Sequence, residues 1–215
     1  MQPNMWTRSL LDNRRSFIGG SDARIIMGND EAALIHLWCE KRGEVEPDDL
    51  SRNLIVQLGV ATEALNRNWY ERNTGQSIES VQRWLRHSVL RWMGATVDGI
   101  IAGSGTVFEA KFMLPWTFSE EAAAEKHMAQ VQHNMWVTNA TEAVLSIITG
   151  RQMGGNQNFR RSPLPAPPVD RGKEVLALHR ERRASSPIRG RAAEGPHRGD
   201  AGHRHELVKC LGGVL

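Results

Sequence analysis

Apolar residues recur with the period of an α-helix in two long stretches of the chain. Between residues 53 and 73 they fall at i, i+4, i+7, i+11 and i+15, which predicts a long amphipathic helix. Its expected buried stripe is Leu54, Leu58, Ala61, Leu65 and Trp69. Ser119, followed by two glutamates, predicts the start of another helix, which should bury Ala124, Met128, Val131 and Met135.

A different face of this second helix carries three polar side chains, namely His127, Gln130 and Asn134. We interpret His127 as an ordinary surface histidine. Two shorter helices are predicted upstream. The stretch "EAALIHLWCEKRG" should end at Gly43, and "FIGGSDARIIMG" contains a glycine turn, Ser21 as N-cap and Gly28 as the stop.

Short apolar runs predict the strands. Residues 95–101 and 106–112 should form a hairpin around the loop "AGSG" at 102–105, and further strands are expected around 77–85 and 142–150. Strands between long helices, with one hairpin among them, predict an α/β fold in which helices flank a mixed sheet.

The hairpin carries charged residues where buried strands usually carry apolar ones. A loop at 102–105 places Asp98 directly opposite Glu109, and strand alternation puts Glu109 and Lys111 on one face. Facing carboxylates repel each other, so a hard divalent cation such as Mg²⁺ would neutralise them and retain waters for a phosphate substrate. The alternative interpretation is a solvated face, which is the commoner fate of a single strand carboxylate.

Charge is divided unevenly along the chain. Residues 151–215 carry 13 Lys/Arg against 6 Asp/Glu, whereas residues 1–150 carry 14 against 18. The basic balance therefore belongs to the C-terminal part and says little about the predicted domain. No apolar run of 18 residues and no signal-peptide pattern occurs, so we expect a cytoplasmic protein without membrane contact.

Five blocks in order carry a family resemblance: "RRSFIGGSD", "QLGVATEALNRNWYE", "GATVDGI", "FEAKF" and "AQVQHNMWVTNA". Together they resemble the YqaJ viral recombinase family, which is related to lambda-type exonuclease, over about residues 14–150. "VDG" and "FEAK" resemble the PD-(D/E)xK nuclease signature, with Val97 in place of its proline.

The resemblance implies a restriction-endonuclease-like core that degrades one strand of linear double-stranded DNA from the 5′ end. Mg²⁺ is the implied cofactor, with Mn²⁺ as a substitute. Asp98, Glu109 and the backbone carbonyl of Ala110 would hold the metal, Glu63 would support the site, and Lys111 would orient or activate the attacking water.

Further roles follow block by block. Gln130 matches the first glutamine of the family's Q-x-Q helix and is a better candidate than Gln132, because it avoids the apolar stripe. Ser21, with Arg14 or Arg15, would bind the 5′ phosphate of the DNA. A glycine turn before a helix N-terminus suits an anion, although an N-cap serine is more often only a cap.

Two other functions remain open from the sequence: a catalytically inactive subunit that binds DNA ends or assists assembly, and an endonuclease of the same superfamily. The resemblance also implies a homotrimer and a phage single-strand annealing protein as partner.

We expect residues 1–150 to form the exonuclease domain and residues 151–215 to be a basic, disordered tail rich in Arg, Pro and Gly. Nonspecific DNA contact is a second interpretation of the tail. Reading the codons of "GRQMGGNQN" one nucleotide later permits an alternating strand like the one that follows "SIITG" in the family. This suggests a frameshift near Gly150, which would remove that strand and truncate the domain.

Overall fold

The computed structural model describes residues 14–149 and 153–161. The helices are α1 (Gly20–Met27), α2 (Glu31–Arg42), α3 (Leu54–Thr74) and α4 (Glu120–Thr138), with 3₁₀ turns at Leu50–Arg52 and Pro115–Thr117. The strands are β1 (Ile78–Glu79), β2 (Arg83–Arg86), β3 (Gly94–Val97), β4 (Gly99–Ile101), β5 (Val107–Phe112), β6 (Glu142–Ile148) and β7 (Met153–Arg160). Within these ranges, no helix combines the length and the hydropathy that a membrane-spanning segment requires.

Side-chain caps and glycines set the helix ends. Asn53 accepts hydrogen bonds from two backbone N–H groups at the start of α3, and the Ser119 hydroxyl accepts one from Ala122 at the start of α4. Helix α2 ends at Gly43 in the left-handed conformation (φ 72°), and α3 ends at Gly75 (φ 71°). The predicted helices are therefore confirmed in position.

Five strands form a mixed sheet in the order β1-β4-β5-β6-β7, with β5 and β6 parallel and the other neighbours antiparallel. Strands β2 and β3 form a separate two-stranded antiparallel sheet. The α/β fold with helices flanking a mixed sheet is thus confirmed.

The two long helices cover opposite faces of the large sheet. Tyr70 of α3 packs against Phe108 of β5, with ring centroids 5.1 Å apart. On the other face, Val131 and Met135 of α4 pack with Val107 and Ala143, whereas Met128, which was predicted to be buried with them, is 36% exposed. Since Val107, Glu109 and Lys111 alternate with Phe108 and Ala110 along β5, Glu109 lies on the face covered by α4.

Two strand predictions need correction. The run 95–101 is broken at Asp98, so that β3 pairs with β2 while β4 pairs with β1 and β5. The run 77–85 is likewise divided into β1 and β2, because Ser80 and Gln82 adopt positive φ angles of 54° and 52° that end the first strand.

The predicted buried stripe of α3 is wrong. Leu54, Leu65 and Trp69 are 68%, 56% and 48% exposed, whereas Asn66 and Tyr70 are buried. The amide of Asn66 donates to the Ser146 carbonyl, at 2.8 Å, and accepts from the Ser146 hydroxyl, at 2.7 Å. A fully satisfied polar pair therefore takes the place that the apolar pattern assigned to leucines.

The domain also extends beyond the predicted boundary near Gly150. Met153–Arg160, which we assigned to the tail, form β7 and pair with β6 along its length. A strand built from these residues therefore occupies the edge of β6, and the loss of the family's own strand through a frameshift stays a prediction. Most of the predicted tail, and so the remainder of that hypothesis, lies outside the described residues.

Candidate active site

Asp98 lies at the junction of the two sheets, where its side chain accepts a hydrogen bond that a strand carbonyl would otherwise accept. Its Oδ2 accepts a hydrogen bond from the Ala110 N–H at 2.9 Å, next to the last β4–β5 pair, Gly99 with Phe108. A Cβ on Gly99 would lie 2.2 Å from Ile78, so only glycine lets β1 approach here. This register places Asp98 across from Glu109, as the hairpin geometry predicted.

Glu109 is 1% exposed and both of its carboxylate oxygens accept hydrogen bonds. Oε1 accepts from Lys111 Nζ at 2.5 Å and from Gln130 Nε2 at 2.6 Å, and Oε2 accepts from Asn134 Nδ2 at 2.9 Å. Gln130 and Asn134 lie one turn apart on α4, so this helix fixes the orientation of the carboxylate. Such a buried network holds the group in one conformation.

Burial and neighbouring charges shift the pKa values of Asp98 and Lys111. Burial, and then the charge of Glu109, raises the pKa of Asp98 to about 7, although Lys111 and the Ala110 N–H act in the opposite direction. Burial alone would lower the pKa of Lys111, but the carboxylates of Glu109 and Asp98 raise it instead. The Lys111 ammonium therefore stays charged. A metal cation, as a second positive charge, would further offset the burial of Asp98 and its repulsion by Glu109.

Glu63 approaches this pair from α3. Gln82 links the two, since its Nε2 donates to Glu63 Oε2 at 2.7 Å and to Asp98 Oδ1 at 3.4 Å. Burial raises the pKa of Glu63, while the charges of Lys111 and Arg67 lower it. The structure thus brings Glu63, Asp98, Glu109, Lys111 and Gln130 together.

The N-terminus of α1 is built differently from the prediction. Gly19, not Ser21, is the N-cap, and Asp22 accepts a hydrogen bond from the Gly19 N–H at 2.8 Å. Ser21 is an exposed residue of the first turn. Asp22 reaches back to the cap, so a glycine can begin the helix without a side chain of its own.

A buried lysine supports this turn. Lys41 of α2 is fully buried, and its Nζ donates to Asp22 Oδ2 (2.6 Å) and to the carbonyls of Arg14 (3.0 Å) and Phe17 (2.9 Å). Arg14 lies 3.6 Å from Asp22 and also pairs with Glu40, so it is adjacent to the start of α1. Arg15 pairs with Glu46 at 3.0 Å, beside the end of α2.

Gly20 connects the start of α1 to the carboxylate pair. A Cβ at this position would lie 2.6 Å from Asn134 Oδ1 and 3.0 Å from the Gln130 side chain. The helix N-terminus therefore packs directly on the two α4 residues that hold Glu109. Predicted phosphate-binding and metal-binding groups are neighbours in space.

Residues 10–141 match the family model of the YqaJ-like viral recombinase domain. The chain belongs to the YqaJ-like viral recombinase family. The uncharacterized protein YqaJ of Bacillus subtilis (strain 168) is 32% identical over 131 residues, which are 59% of this chain and 41% of that protein. The matched part thus spans less than half the length of this curated relative.

The fold of this YqaJ-like chain is similar to that of solved exonucleases. The alkaline exonuclease LHK-Exo from Laribacter hongkongensis has a TM-score of 0.60 at 18% identity, covering 83% of this chain and 93% of that chain. A phage-related exonuclease from Haemophilus somnus 129PT has a TM-score of 0.58 at 12% identity, covering 77% and 92%. At these identities the likeness shows the fold.

The donor atoms of the YqaJ-like site fit Mg²⁺. Asp98 and Glu109 offer carboxylate oxygens, and the Ala110 carbonyl points to the same side of β5 as the Ala110 N–H that meets Asp98. These are the hard oxygen ligands that Mg²⁺ prefers. Within residues 14–149 and 153–161, no three His, Cys, Asp or Glu side chains form a metal site by themselves. A metal here would therefore take further ligands from the backbone, water and substrate.

Sequence reasoning missed three contributors to the site and misjudged a fourth. Asn134 could have been predicted, because it shares a helix face with Gln130. Nothing in the sequence pointed to Gln82 or Lys41, because their partners are distant in the sequence. His127 is not a surface residue, since it is 4% exposed and burial, with Lys111 nearby, lowers its pKa to about 3. Gln132, by contrast, donates to the Arg160 carbonyl, away from Glu109.

Proposed function

We propose that this protein is a Mg²⁺-dependent exonuclease that degrades one strand of linear double-stranded DNA in the 5′→3′ direction, in phage or prophage recombination. The observation that carries the proposal is the convergence of Asp98, Glu109 and Lys111 where the two sheets meet. Family membership and the fold of alkaline exonucleases support it, and LHK-Exo has been crystallised with dAMP.

Each residue has a distinct part in phosphodiester hydrolysis. Asp98, Glu109 and the Ala110 carbonyl would hold Mg²⁺, which when bound supplies positive charge to the phosphate oxygens and lowers the pKa of a water. The Lys111 ammonium, held at Glu109, orients the attacking water and donates to the charge that develops on the phosphate. Water attacks phosphorus and loses a proton, the P–O bond to the departing sugar oxygen breaks, and that oxygen takes up a proton and leaves as a hydroxyl.

The start of α1 is the proposed binding site for the 5′ phosphate of the DNA. Backbone N–H groups of its first turn and the exposed Ser21 hydroxyl suit an anion, and Arg14 lies alongside. Gln130 lies between this turn and Glu109, so a terminal phosphate on α1 would place the next linkage near the carboxylates. A homotrimer and an annealing protein as partner remain part of the proposal, on the family resemblance alone.

A cleavage assay with defined ends tests the activity and its polarity. Linear duplexes with 5′-phosphate or 5′-hydroxyl ends, each labelled at the 3′ end of one strand, are incubated with Mg²⁺, Mn²⁺ or EDTA. We expect metal-dependent shortening from the 5′ end, faster on 5′-phosphate ends. Equal rates on 5′-phosphate and 5′-hydroxyl duplexes would show that α1 does not bind a 5′ phosphate.

Covalently closed circular duplex serves as the control for the competing functions. Cleavage of the circle would identify an endonuclease. A protein that melts cooperatively and binds linear DNA ends, but hydrolyses none of the DNA, would be a DNA-binding subunit.

A further inference from the structure

The small β2–β3 sheet presents an aromatic and basic surface to solvent. Residues 80–97 contain Arg83, Arg86 and Arg91 but no Asp or Glu, although residues 1–150 as a whole are acidic. No carboxylate among the described residues lies within 4 Å of these three guanidinium groups, whereas Arg14, Arg15 and Arg42 are all in ion pairs. The positive charge of this sheet is therefore available to an anionic partner.

One face of this sheet carries Trp84 and Arg86 on β2 and Thr96 on β3, which we call the hairpin surface. Thr96 is the register partner of Trp84 and is exposed, and Trp84 is 42% exposed. The Arg86 guanidinium lies 5.3 Å from the Trp84 ring centroid, and Phe17 meets the same ring edge-on at 5.7 Å. The indole is thus held in place while a large part of it contacts solvent.

The position of the hairpin surface ties it to the candidate active site. At one end, Gln82 precedes β2 and bonds to both Glu63 and Asp98. At the other end, Arg86 donates to the Ser16 hydroxyl at 3.2 Å, in the segment that leads into α1. Between Gln82 and Arg86 the strand covers about 13 Å, so the surface runs from the carboxylates towards the start of α1.

We infer that the hairpin surface binds an unpaired DNA strand beside the scissile phosphate, with a base stacked on Trp84 and a phosphate paired with Arg86. Every base has a face that stacks on an aromatic ring, and a guanidinium without a carboxylate partner attracts a backbone phosphate. Thr96 adds a hydroxyl donor on the same face. The inference rests on the proposed action on DNA, and it adds which part of the fold grips the strand.

Binding measured without divalent metal tests the inference separately from hydrolysis. The probe is a fluorescent oligodeoxythymidine of about 12 nucleotides, within the range of known single-strand sites, titrated with the full chain in EDTA and followed by anisotropy. We expect Trp84→Ala to raise the Kd roughly 5- to 150-fold, which corresponds to the loss of one stacked base. Trp84→Phe should retain most of the affinity.

Arg86→Gln tests the phosphate contact through salt dependence. Its plot of log affinity against log salt should be shallower than that of the wild type by about 0.7, the value for one phosphate of a single strand. Trp69→Ala and Arg72→Gln are the matched controls. Both residues are exposed on α3, Trp69 to 48%, and neither change should alter the Kd or the slope.

The outcomes separate the two proposals. If wild type degrades duplex DNA with Mg²⁺ but Trp84→Ala and Trp84→Phe bind the oligonucleotide as it does, the inference is overturned and the activity stands. If Trp84→Ala weakens binding while wild type hydrolyses nothing, the binding surface stands and the activity falls. A folded wild type that neither binds nor cleaves overturns both, and an equal loss of binding in Trp69→Ala overturns the assignment to Trp84.

Discussion

Gln130 and Gln132 are two residues apart on α4, yet only one of them contacts the candidate active site. Gln130 donates to Glu109 Oε1, whereas Gln132 donates to the Arg160 carbonyl. We expect Gln130→Ala to lower kcat/KM on linear duplex by about 10- to 100-fold, the usual cost of losing a group that orients a metal ligand. Gln132→Ala should stay within a few-fold of wild type. Similar losses in both variants would show that α4 matters only for folding.

His127 gives the protein a predicted acid sensitivity. Its folded-state pKa is about 3 against a reference value of 6.5, so between these pH values the unfolded chain binds a proton that the folded chain does not. Stability should therefore fall as pH decreases through this window, by about 1.4 kcal/mol per pH unit from this residue. The pKa of His133 is lowered by burial too, and it contributes in the same direction.

His127→Leu isolates the contribution of this residue, because neither of its ring nitrogens has a hydrogen-bond partner among the described residues. Urea unfolding at pH 8 should give the variant equal or greater stability, since no hydrogen bond is lost. At pH 5 its advantage over wild type should be larger. Parallel pH profiles for the two proteins would show that the pKa of His127 is the same in the folded and the unfolded chain.

The packing of α1 on α4 depends on the absence of a side chain at Gly20. Gly20→Ala would place a methyl group 2.6 Å from Asn134 Oδ1, and accommodating it should cost about 1–3 kcal/mol. The shift should also disturb Asn134 and Gln130, so we expect lower cleavage activity together with a lower Tm.

Gly59→Ala on α3 is the matched control, because a Cβ there meets nothing within 4 Å. Within a helix this change should stabilise the protein by about 0.5–1 kcal/mol without affecting cleavage. If both alanine variants raise the Tm, the close contact between α1 and α4 is absent in solution.

Local signals predicted elements better than they predicted which faces are buried. Asn53, Ser119, Gly43 and Gly75 set the helix ends through their own backbone and side-chain chemistry, which the sequence displays. The apolar stripe of α3 indicated the wrong face, because the contact with the sheet is made by Asn66 and Tyr70 instead. Such a polar contact depends on a partner 80 residues away.

Some residues of the candidate site could be predicted from the sequence and others could not. The pairing of Asp98 with Glu109 follows from hairpin register alone, and Lys111 follows from strand parity, so these were predictable. The break at Asp98 was not, since it depends on a side chain replacing a strand hydrogen bond to Ala110. Lys41 was also unforeseeable, because its three acceptors come together only when α2 packs beneath the start of α1.

Strand β7 completes the large sheet as its last strand. It pairs with all of β6, and Phe159 packs against two clusters of the core. A chain that ends at residue 150 would leave β6 as an open edge and uncover this apolar surface. We expect it to melt at a lower temperature and to aggregate more readily than a chain that ends at residue 161. Equal melting of the two truncated chains would show that β7 adds nothing to stability.

If Asp98, Glu109 and Lys111 form one hydrolytic site, each of them should be needed for cleavage. The test is the initial rate of nucleotide release from linear duplex DNA with Mg²⁺, measured for Asp98→Asn, Glu109→Gln and Lys111→Met. Glu121→Gln, on the exposed first turn of α4, is the control. We predict losses of at least about 100-fold for each of the three variants and a rate near wild type for the control, with all four proteins folded and still binding DNA. Near wild-type release by Asp98→Asn or Glu109→Gln would show that the substituted carboxylate takes no part in hydrolysis.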